Sequence, residues 1–411
     1  MNFALSARTV TLLATFALAG CSSSSSSPSG ALGPVVSYAP PSSGCGSFRA
    51  QTPSDPDGVF ASLPKNVQSD LLGEPEIRRS GWANFKPKHA PPYNVTVIMS
   101  GAVNSLQEQL ISGLKQRLGA AKEIGKVNML LTNGVDIPAQ IQQMQTAIGQ
   151  HTDMIILEPL QAEAFNAPIA QAAQAGIPTV TFLSLVNSRY ALNVNVNAYL
   201  SAAVTASFIA RQAKGHGALL SVLGYGTGQT DQLTVKATKN VIGSCPGMTF
   251  GGQILGAYNN GLAKGETLKY LATHPGKLAG VTQGGTMAPG IINAFTSSGR
   301  PVPPVSDIAA IQGSLAYWRH HLSTYHGIGT GPGPQALVRA TVSVVRRTLA
   351  GQGPLVNKFF GSVPLITDKN LAQWVPAGAK DTSLVAAEGP ASSFLPEAYL
   401  NRLFTHGSEV K

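Results

Sequence analysis

The sequence has little charge, few cysteines and no long apolar run after its N-terminal segment. Charged residues make up 12% of the 411 residues, and three residues are cysteines, so a disulfide-rich scaffold is excluded. No later segment approaches the ~18 consecutive apolar residues of a transmembrane helix. The formal net charge is +10, yet Lys and Arg are scattered and cluster only in pairs such as Arg78-Arg79. Nucleic-acid binding is therefore not expected.

Signatures of catalysis and of cofactor or metal binding are also missing. Gly224 to Gly228 (GYGTG) follows a predicted strand, but its glycine spacing is not that of a dinucleotide fingerprint. His320, His321 and His326 lie close in sequence without the carboxylates or cysteines of a metal site. No GxSxG nucleophile elbow occurs. We therefore expect no enzyme, no cofactor and no metal, and we interpret the glycine-rich segment as a loop that turns or approaches a ligand.

The N-terminus has the pattern of an export signal. Arg8 supplies a positive charge, and Val10 to Ala19 form an apolar stretch of signal-peptide length. The segment Leu18-Ala19-Gly20-Cys21 resembles the bacterial lipobox, in which cleavage precedes a cysteine that receives diacylglycerol. Residues 1–20 are thus predicted to be a lipoprotein signal peptide, and lipidated Cys21 to anchor the protein to an envelope membrane, facing the periplasm or the exterior. An ordinary cleaved signal with an incidental cysteine is the alternative.

Residues 21–92 are predicted to hold the lipid anchor, a tether and an irregular extension. Ser22 to Ser27 and the Pro, Gly and Ser residues up to about Pro41 predict a flexible tether. One helical patch is predicted near residues 67–72. Cys45 and Cys245 remain after the lipobox cysteine, and we expect them to pair in an oxidising compartment. Two separate buried thiols are the alternative, because sequence does not show whether their Cα atoms approach.

From residue 93 the sequence alternates between strand and helix patterns. Asn94 to Ser100 (NVTVIMS) is typical of a strand, and Ser105 to Leu118 places apolar residues at helical spacing. The unit recurs several times up to Leu183, and a second series begins near Leu200. Such alternation predicts an α/β fold with parallel sheets covered on both faces. Ligands of such sheets bind beyond the carboxyl ends of the strands.

One long stretch carries a family resemblance. The segment TDMIILEPLQAEAFNAPIAQAAQAGIPTV, which begins at Thr152, resembles a stretch of the periplasmic sugar-binding proteins that include ribose- and xylose-binding proteins. Asp153, Pro159, Gly176 and Pro178 are in register with it. The similarity covers about residues 93–375. It implies a type I periplasmic binding protein, with two Rossmann-like lobes joined by a three-strand hinge.

The resemblance also implies the lobe boundaries. The N-terminal lobe is expected to comprise residues 93–188 plus 331–352. The C-terminal lobe and tail are expected to comprise residues 189–330 plus 353–411. In this family the two lobes close on the solute by hinge motion.

The family's binding residues are only partly present. Leu106 stands where the family has a stacking aromatic residue, and Gly284-Gly285 stand where it has an Asn-Asp pair. Sugar recognition needs polar side chains for the hydroxyls and a ring for the apolar face. The remaining candidates for ligand binding are Asn104, Gln107, Gln229, Asp231, Tyr258, Asn259, Gln283 and Trp318. For each of them, a surface polar or core aromatic role is the alternative.

The sequence and the resemblance together predict a solute-binding lipoprotein of an ABC importer. It is expected to be a monomer that binds a sugar, polyol or similar small solute and delivers it to the permease and ATPase subunits. The alternative is a sensor lipoprotein that presents the solute to a signalling partner.

Overall fold

The structure is a computed structural model that describes residues 39–102, 104–389 and 394–407. The predicted signal peptide and Cys21 lie outside these residues. Within the described part of the chain, no helix is both long enough and apolar enough to span a membrane.

The elements alternate along the chain as the sequence predicts. The strands are β1 (Tyr93–Ser100), β2 (Ile124–Thr132), β3 (Met154–Leu157), β4 (Thr179–Phe182), β5 (Ala191–Val196), β6 (His216–Leu223), β7 (Gly247–Leu255), β8 (Leu278–Gln283), β9 (Ser306–Asp307), β10 (Ile328–Thr330), β11 (Lys358–Gly361) and β12 (Leu365–Ile366). The helices are α1 (Lys65–Asp70), α2 (Ser105–Gly119), α3 (Ile137–Gly149), α4 (Asn166–Gln174), α5 (Ala198–Gln212), α6 (Gln229–Ile242), α7 (Asn260–Thr273), α8 (Ala288–Ser297), α9 (Gln312–His320), α10 (Pro334–Leu349) and α11 (Glu397–Leu400). Short 3-10 helices occupy Phe60–Ser62, Ala162–Phe165, Leu371–Gln373 and Asn401–Leu403.

The first lobe is built on a six-stranded parallel sheet in the order β11-β5-β4-β3-β1-β2. Both of its faces are covered, which explains why β1 is a nearly continuous apolar run. Val95 and Val97 point to one face and join a core that includes Leu114 of α2. Ile98 points to the other face and packs in a core with Met144 of α3. This alternation follows from the two-residue period of a strand.

The second lobe contains two three-stranded sheets, ordered β7-β6-β8 and β12-β10-β9. An isolated parallel bridge between Val281 and Val305 links them. Leu219 of β6 packs with α5 and α6 residues, whereas Leu220 packs with α7 and α8 residues on the other face. The second lobe therefore repeats the layered arrangement of the first.

The chain passes between the lobes at the carboxyl ends of strands. It leaves β5 at residue 197, β10 at residues 331–333 and β11 at residues 362–364. Because these passages lie at the carboxyl edges of the sheets, the carboxyl ends of the two lobes face each other across a cleft.

The predicted lobe boundaries need a correction. β5 and β11 both belong to the first sheet, where Asn193 is the partner of Lys358. Phe394, Leu400 and Phe404 pack in the first lobe's core as well. The first lobe thus comprises residues 93–196, 334–361 and 394–407, and the second comprises 198–330 and 365–389. Burial of Phe359 and Phe360 in the six-stranded sheet places residues 358–361 in the first lobe.

The N-terminal extension is part of the folded body rather than peripheral to it. Val67 of α1 lies in the first lobe's core, as do Leu71 and Ile77. The ammonium group of Lys358 donates to the carboxylate of Glu74 at 2.6 Å, and both side chains are buried. Loss of one partner from such a buried pair leaves an uncompensated charge. The extension therefore contributes directly to the first lobe's stability.

Cys45 and Cys245 form a disulfide, with a Cα–Cα distance of 4.3 Å. Cys245 lies between α6 and β7, so the bond fixes the start of the extension to the second lobe. The hydroxyl of Ser207 in α5 donates to the Gly46 carbonyl at 2.6 Å beside it. The extension thus contacts both lobes.

Replacement of both Cys45 and Cys245 by Ala should lower the free energy of unfolding by about 2–5 kcal/mol, because the crosslink restricts a loop of 200 residues in the unfolded chain. Denaturant titration of the two oxidised proteins measures the difference. Reductant should bring the wild-type midpoint close to that of the variant and leave the variant unchanged. Equal midpoints under oxidising conditions would contradict the prediction.

Candidate functional site

The first lobe's side of the cleft carries a buried cluster formed by Ser100, Gln107 and Glu158. Ser100 ends β1 and Glu158 directly follows β3, so parallel pairing brings them together. The Glu158 carboxylate accepts the Ser100 amide at 3.0 Å and the Ser100 hydroxyl at 2.8 Å. The Gln107 amide donates to Glu158 at 3.1 Å and also to the Ser100 hydroxyl. Burial raises the pKa of the Glu158 carboxyl, and these hydrogen bonds partly oppose that effect.

Asn104 positions this cluster. Its side chain accepts the Gln107 backbone amide at 3.0 Å and so caps the N-terminus of α2. The cap orients the first turn of α2, from which the Gln107 side chain reaches Glu158. Asn104 therefore acts on the cluster through helix geometry, and Gln107 belongs to the cluster itself.

In the second lobe, Asp231 holds the glycine-rich loop after β6. Its buried carboxylate accepts the amides of Gly224 at 2.9 Å and Gly226 at 2.8 Å. The Tyr258 hydroxyl donates to the same carboxylate at 3.3 Å. Burial is the main cause of the raised pKa of the Tyr258 phenol, and the Asp231 charge adds to it. Asp231 thus joins the loops after β6 and β7.

The Tyr258 ring lies over glycines at the ends of two strands. A Cβ atom at Gly285 would come within 2.7 Å of the ring, and one at Gly224 would overlap it. A Cβ atom at Gly284 would come within 2.7 Å of the Asp231 carboxylate. Glycine at these positions therefore makes room for the tyrosine and the aspartate. The ring takes the place beside the strand ends where the family pattern has the Asn-Asp pair.

Tyr225 lies in the glycine-rich loop after β6, at the carboxyl edge of the second lobe. Its ring packs edge-on against Tyr258 with centroids 5.4 Å apart, and 43% of the residue is exposed. Burial raises the pKa of its phenol, and the carboxylates of Glu158 and Asp231 raise it further. Its place in the loop after β6 puts this exposed ring on the second lobe's side of the cleft.

Gln283 and Asp307 complete the second lobe's strand ends. The Gln283 side chain accepts the amide of Gly285 at 2.8 Å and donates to the Ser306 carbonyl at 3.1 Å, so it orders the turn after β8. Asp307 accepts the Ile311 amide at 3.1 Å and also the Ser314 hydroxyl, which stabilises the turn into α9. Burial raises the pKa of Asp307 to about 6.

The remaining predicted residues do not join the cleft walls in this way. Trp318 is buried in a second-lobe core, and its indole donates to Asp368 at 2.7 Å. Its ring is enclosed by apolar neighbours, so no described contact brings it to the cleft walls, and its contact with solute stays a prediction. Asn259 caps α7 by accepting the Leu262 amide at 3.0 Å. Gln229 is the first residue of α6, directly after the glycine-rich loop, and no hydrogen bond of its side chain is described.

Ser100, Glu158 and Tyr225 are the cleft residues that sequence reasoning missed. Glu158 precedes the matched Pro159, so its place at a strand end was available from the sequence. Tyr225 lies in the glycine-rich loop that was predicted to approach a ligand. Their positions at the carboxyl ends of parallel strands are the signal that could have found them.

Comparison with known proteins identifies the family. The model of the periplasmic binding protein domain matches residues 95–353, more than half of the chain. This chain belongs to the periplasmic binding protein family. The expected α/β fold and the resemblance to periplasmic binding proteins are therefore confirmed. The family consists of binding proteins, so the expectation that the chain is not an enzyme is confirmed as well.

Solved structures show the same fold at low sequence identity. A solute-binding protein of an ABC transporter from Thermobispora bispora is 19% identical, with a TM-score of 0.65, and the match covers 76% of this chain and 94% of that one. A solute-binding protein from Bacillus halodurans with bound myo-inositol is 15% identical, with a TM-score of 0.62 and coverages of 69% and 97%. One from Mycobacterium smegmatis with bound glycerol is 17% identical, with a TM-score of 0.61 and coverages of 72% and 99%. A search of curated protein sequences found no significant match.

Asp307 should make stability depend on pH. Its pKa is about 6 in the folded protein against an ordinary 3.8, so the folded state binds the proton more tightly. The resulting stabilisation is present at low pH and is lost as the pH rises through about 6. Between about pH 4 and pH 7, Asp307→Asn should therefore gain about 3 kcal/mol relative to wild type. Denaturant titration across this range measures the change.

Asp136→Asn is the matched control for this measurement. Asp136 is exposed and caps α3 by accepting the Ala139 amide at 2.9 Å, a role that Asn also fills. This variant shows how much pH dependence follows from replacing an exposed carboxylate. A pH dependence of Asp307→Asn no larger than that of Asp136→Asn would contradict the prediction.

Proposed function

We propose that the chain is an exported solute-binding lipoprotein of an ABC importer, which closes on a small hydroxylated solute between its lobes. The observation that carries the proposal is the pair of unlike walls at the cleft. Ser100, Gln107 and Glu158 present hydrogen-bonding groups from the first lobe, and Tyr225 presents an aromatic ring from the second. Polar groups on one side and a ring on the other suit a solute with hydroxyls and an apolar face.

We expect the two lobes to close on the solute, because the polar cluster and the aromatic ring belong to different lobes. Neither lobe alone supplies both the ring and the buried polar cluster, so a solute that contacts both favours the closed arrangement. A ligand shifts such an equilibrium only by its differential affinity for the two states. The myo-inositol and glycerol in two structures of the same fold support a hydroxylated solute.

Delivery and anchoring complete the proposal. The lipobox-like segment that ends at Cys21 supports membrane attachment through a lipid, which would keep the binding protein near its permease. The permease and ATPase subunits are the proposed partners, because the matched solved structures are solute-binding proteins of ABC transporters.

Solute binding can be tested by the melting temperature of a protein that comprises residues 28–411, exported so that the disulfide forms. A panel of sugars and polyols should contain a solute that raises the melting temperature. At about a hundredfold excess over its Kd, the solute adds about 2.7 kcal/mol of stability. A folded protein that responds to no member of the panel would contradict the hydroxylated-solute proposal.

Tyr225→Ala should weaken binding of any solute found by this panel by tenfold or more, because it removes the exposed ring of the cleft. Tyr190→Ala is the matched control, since Tyr190 is also partly exposed but packs on Trp82 of the N-terminal extension. Isothermal titration calorimetry measures both affinities. Equal affinity of wild type and Tyr225→Ala would remove this ring from the site.

A further inference from the structure

The loops at the cleft carry no basic side chain, although the chain as a whole is basic. Lys and Arg number 29 against 19 Asp and Glu. Eight loops that connect the carboxyl end of a strand to a helix contain no Lys or Arg. They are residues 101–104, 133–136, 158–161, 224–228, 256–259, 284–287, 308–311 and 331–333. The first four residues of the helices after them also lack Lys and Arg. These loops and first helical turns therefore bring no positive side chain to the strand ends, whereas Lys236 and Lys239 lie further along α6 and line a pocket beside Gly226 and Asp231.

Arg189 does not alter this distribution. It lies in the loop from β4 to β5, but directly before β5 begins, and so at the opposite edge of the sheet. Its backbone carbonyl accepts the amide of Gly81 in the N-terminal extension at 2.8 Å. The side of the first lobe that holds Arg189 is thus the side that the extension covers.

Acidic side chains, in contrast, are buried at these strand ends. Glu158 is 7% exposed, Asp231 is 1% exposed and Asp307 is 3% exposed. Their described hydrogen bonds come from amides and hydroxyls, and none of the three has an ion pair with a basic residue in the described part of the chain. A buried carboxylate without a cationic partner is costly. A positive charge in the cleft would offset that cost.

Two buried oxygen atoms near these carboxylates have no hydrogen-bond partner among the described residues. Gln107 is 8% exposed, and its amide oxygen is unpaired although its amide nitrogen binds Glu158. Thr330 is fully buried at the end of β10, and its hydroxyl oxygen is unpaired. Its neighbour Gly329 is the register partner of Asp307. The unpaired amide oxygen of Gln107 can only accept, whereas the Thr330 hydroxyl can donate or accept. The Gln107 oxygen therefore points to a ligand that donates a hydrogen bond.

We infer that the solute is a hydroxylated amine, which binds in its protonated form. The inference rests on the proposed function and names the chemistry of its solute. The ammonium group lies between the Glu158 carboxylate and the Tyr225 ring, a pairing of charge and aromatic face that favours cations. The hydroxyls donate to acceptors such as the Gln107 amide oxygen. Anionic solutes are rejected at Glu158, because the loops at the strand ends offer carboxylates and no basic side chain.

Matched trios of solutes test this inference on the wild-type protein of residues 28–411, which contains every described residue. Glucosamine, glucose and glucuronate form one trio, galactosamine, galactose and galacturonate a second, and 2-amino-1,3-propanediol, glycerol and glycerate a third. Calorimetric titration is made at about pH 7, where an amine with an ordinary α-amino pKa is mostly protonated. In at least one trio the amine should bind tenfold or more tighter than the neutral member, and the acid should not bind.

The salt dependence of binding adds a second measurement without a variant. Affinity for the amine should fall as ionic strength rises, whereas affinity for the neutral member should change little.

Glu158→Gln should remove the preference for the amine, while Glu163→Gln, at an exposed position just beyond the cluster, should keep it. The glutamine retains the shape of the buried side chain and removes its charge.

The outcomes separate this inference from the proposed function. If a neutral member binds as tightly as its amine, or an acid binds, solute binding stands and the hydroxylated amine is wrong. If Glu158→Gln weakens binding of the amine and of the neutral solute equally, Glu158 only maintains the structure of the first lobe's side of the cleft. The proposal that its charge binds the ammonium group is then wrong. If no member of any trio binds to the folded protein, both the amine and the hydroxylated-solute proposal are overturned.

Discussion

Parallel strand pairing is the constraint on which the cleft depends. Every neighbouring pair in the six-stranded sheet is parallel, so all its carboxyl ends meet at one edge. Residues far apart in sequence become neighbours there, as Ser100 and Glu158 do. The chain also leaves the sheet for the second lobe at this edge, which turns the strand ends of both lobes toward each other. The site is therefore a product of topology, and its chemistry is set by the residues that follow each strand.

The second lobe shows how this topology can hold different chemistry. Where the family pattern has an Asn-Asp pair, Gly284 and Gly285 leave space that Asp231 and Tyr258 fill. A polar pair on the strand end is thus exchanged for a carboxylate from the first turn of α6 and a ring from the loop after β7. Tyr258 has a φ of 54°, and the preceding Ala257 has a φ of 50°, so this turn places two non-glycine residues in a left-handed conformation. This left-handed backbone conformation costs free energy in non-glycine residues. Its presence beside the cleft agrees with a Tyr258 ring that is held in a fixed position.

The periodicity of the sequence was enough to predict the fold, but it was not enough to identify the residues at the cleft. The strand and helix patterns predicted parallel α/β lobes because burial on both faces leaves continuous apolar strands such as β1. Lobe boundaries were harder, since the four residues of β11 are too few to show which sheet they join. An aromatic residue looks the same in sequence whether it lines a cleft or a core, and for this reason the buried Trp318 was named as a candidate and the exposed Tyr225 was not. Gln107 was named because it follows the first strand, and its role in solute binding stays a prediction.

The ends of the chain add connections between the lobes beyond the hinge passages. At the C-terminal side, Ala386 exchanges two hydrogen bonds of 3.2 Å with the Gln109 side chain of α2 in the first lobe. The adjacent Ala387 amide donates to the Ala310 carbonyl of the second lobe at 2.7 Å. A rotation that separates α2 from residue 310 must break one of these sets, because a single short segment makes both. The Ser105 hydroxyl of α2 and the Gln335 amide of α10 also donate to Leu384 and Glu388, while Gln312 and Gly313 add backbone bonds from the second lobe. Several bonds therefore hold this segment to each lobe, and cleft opening must break one of the two sets.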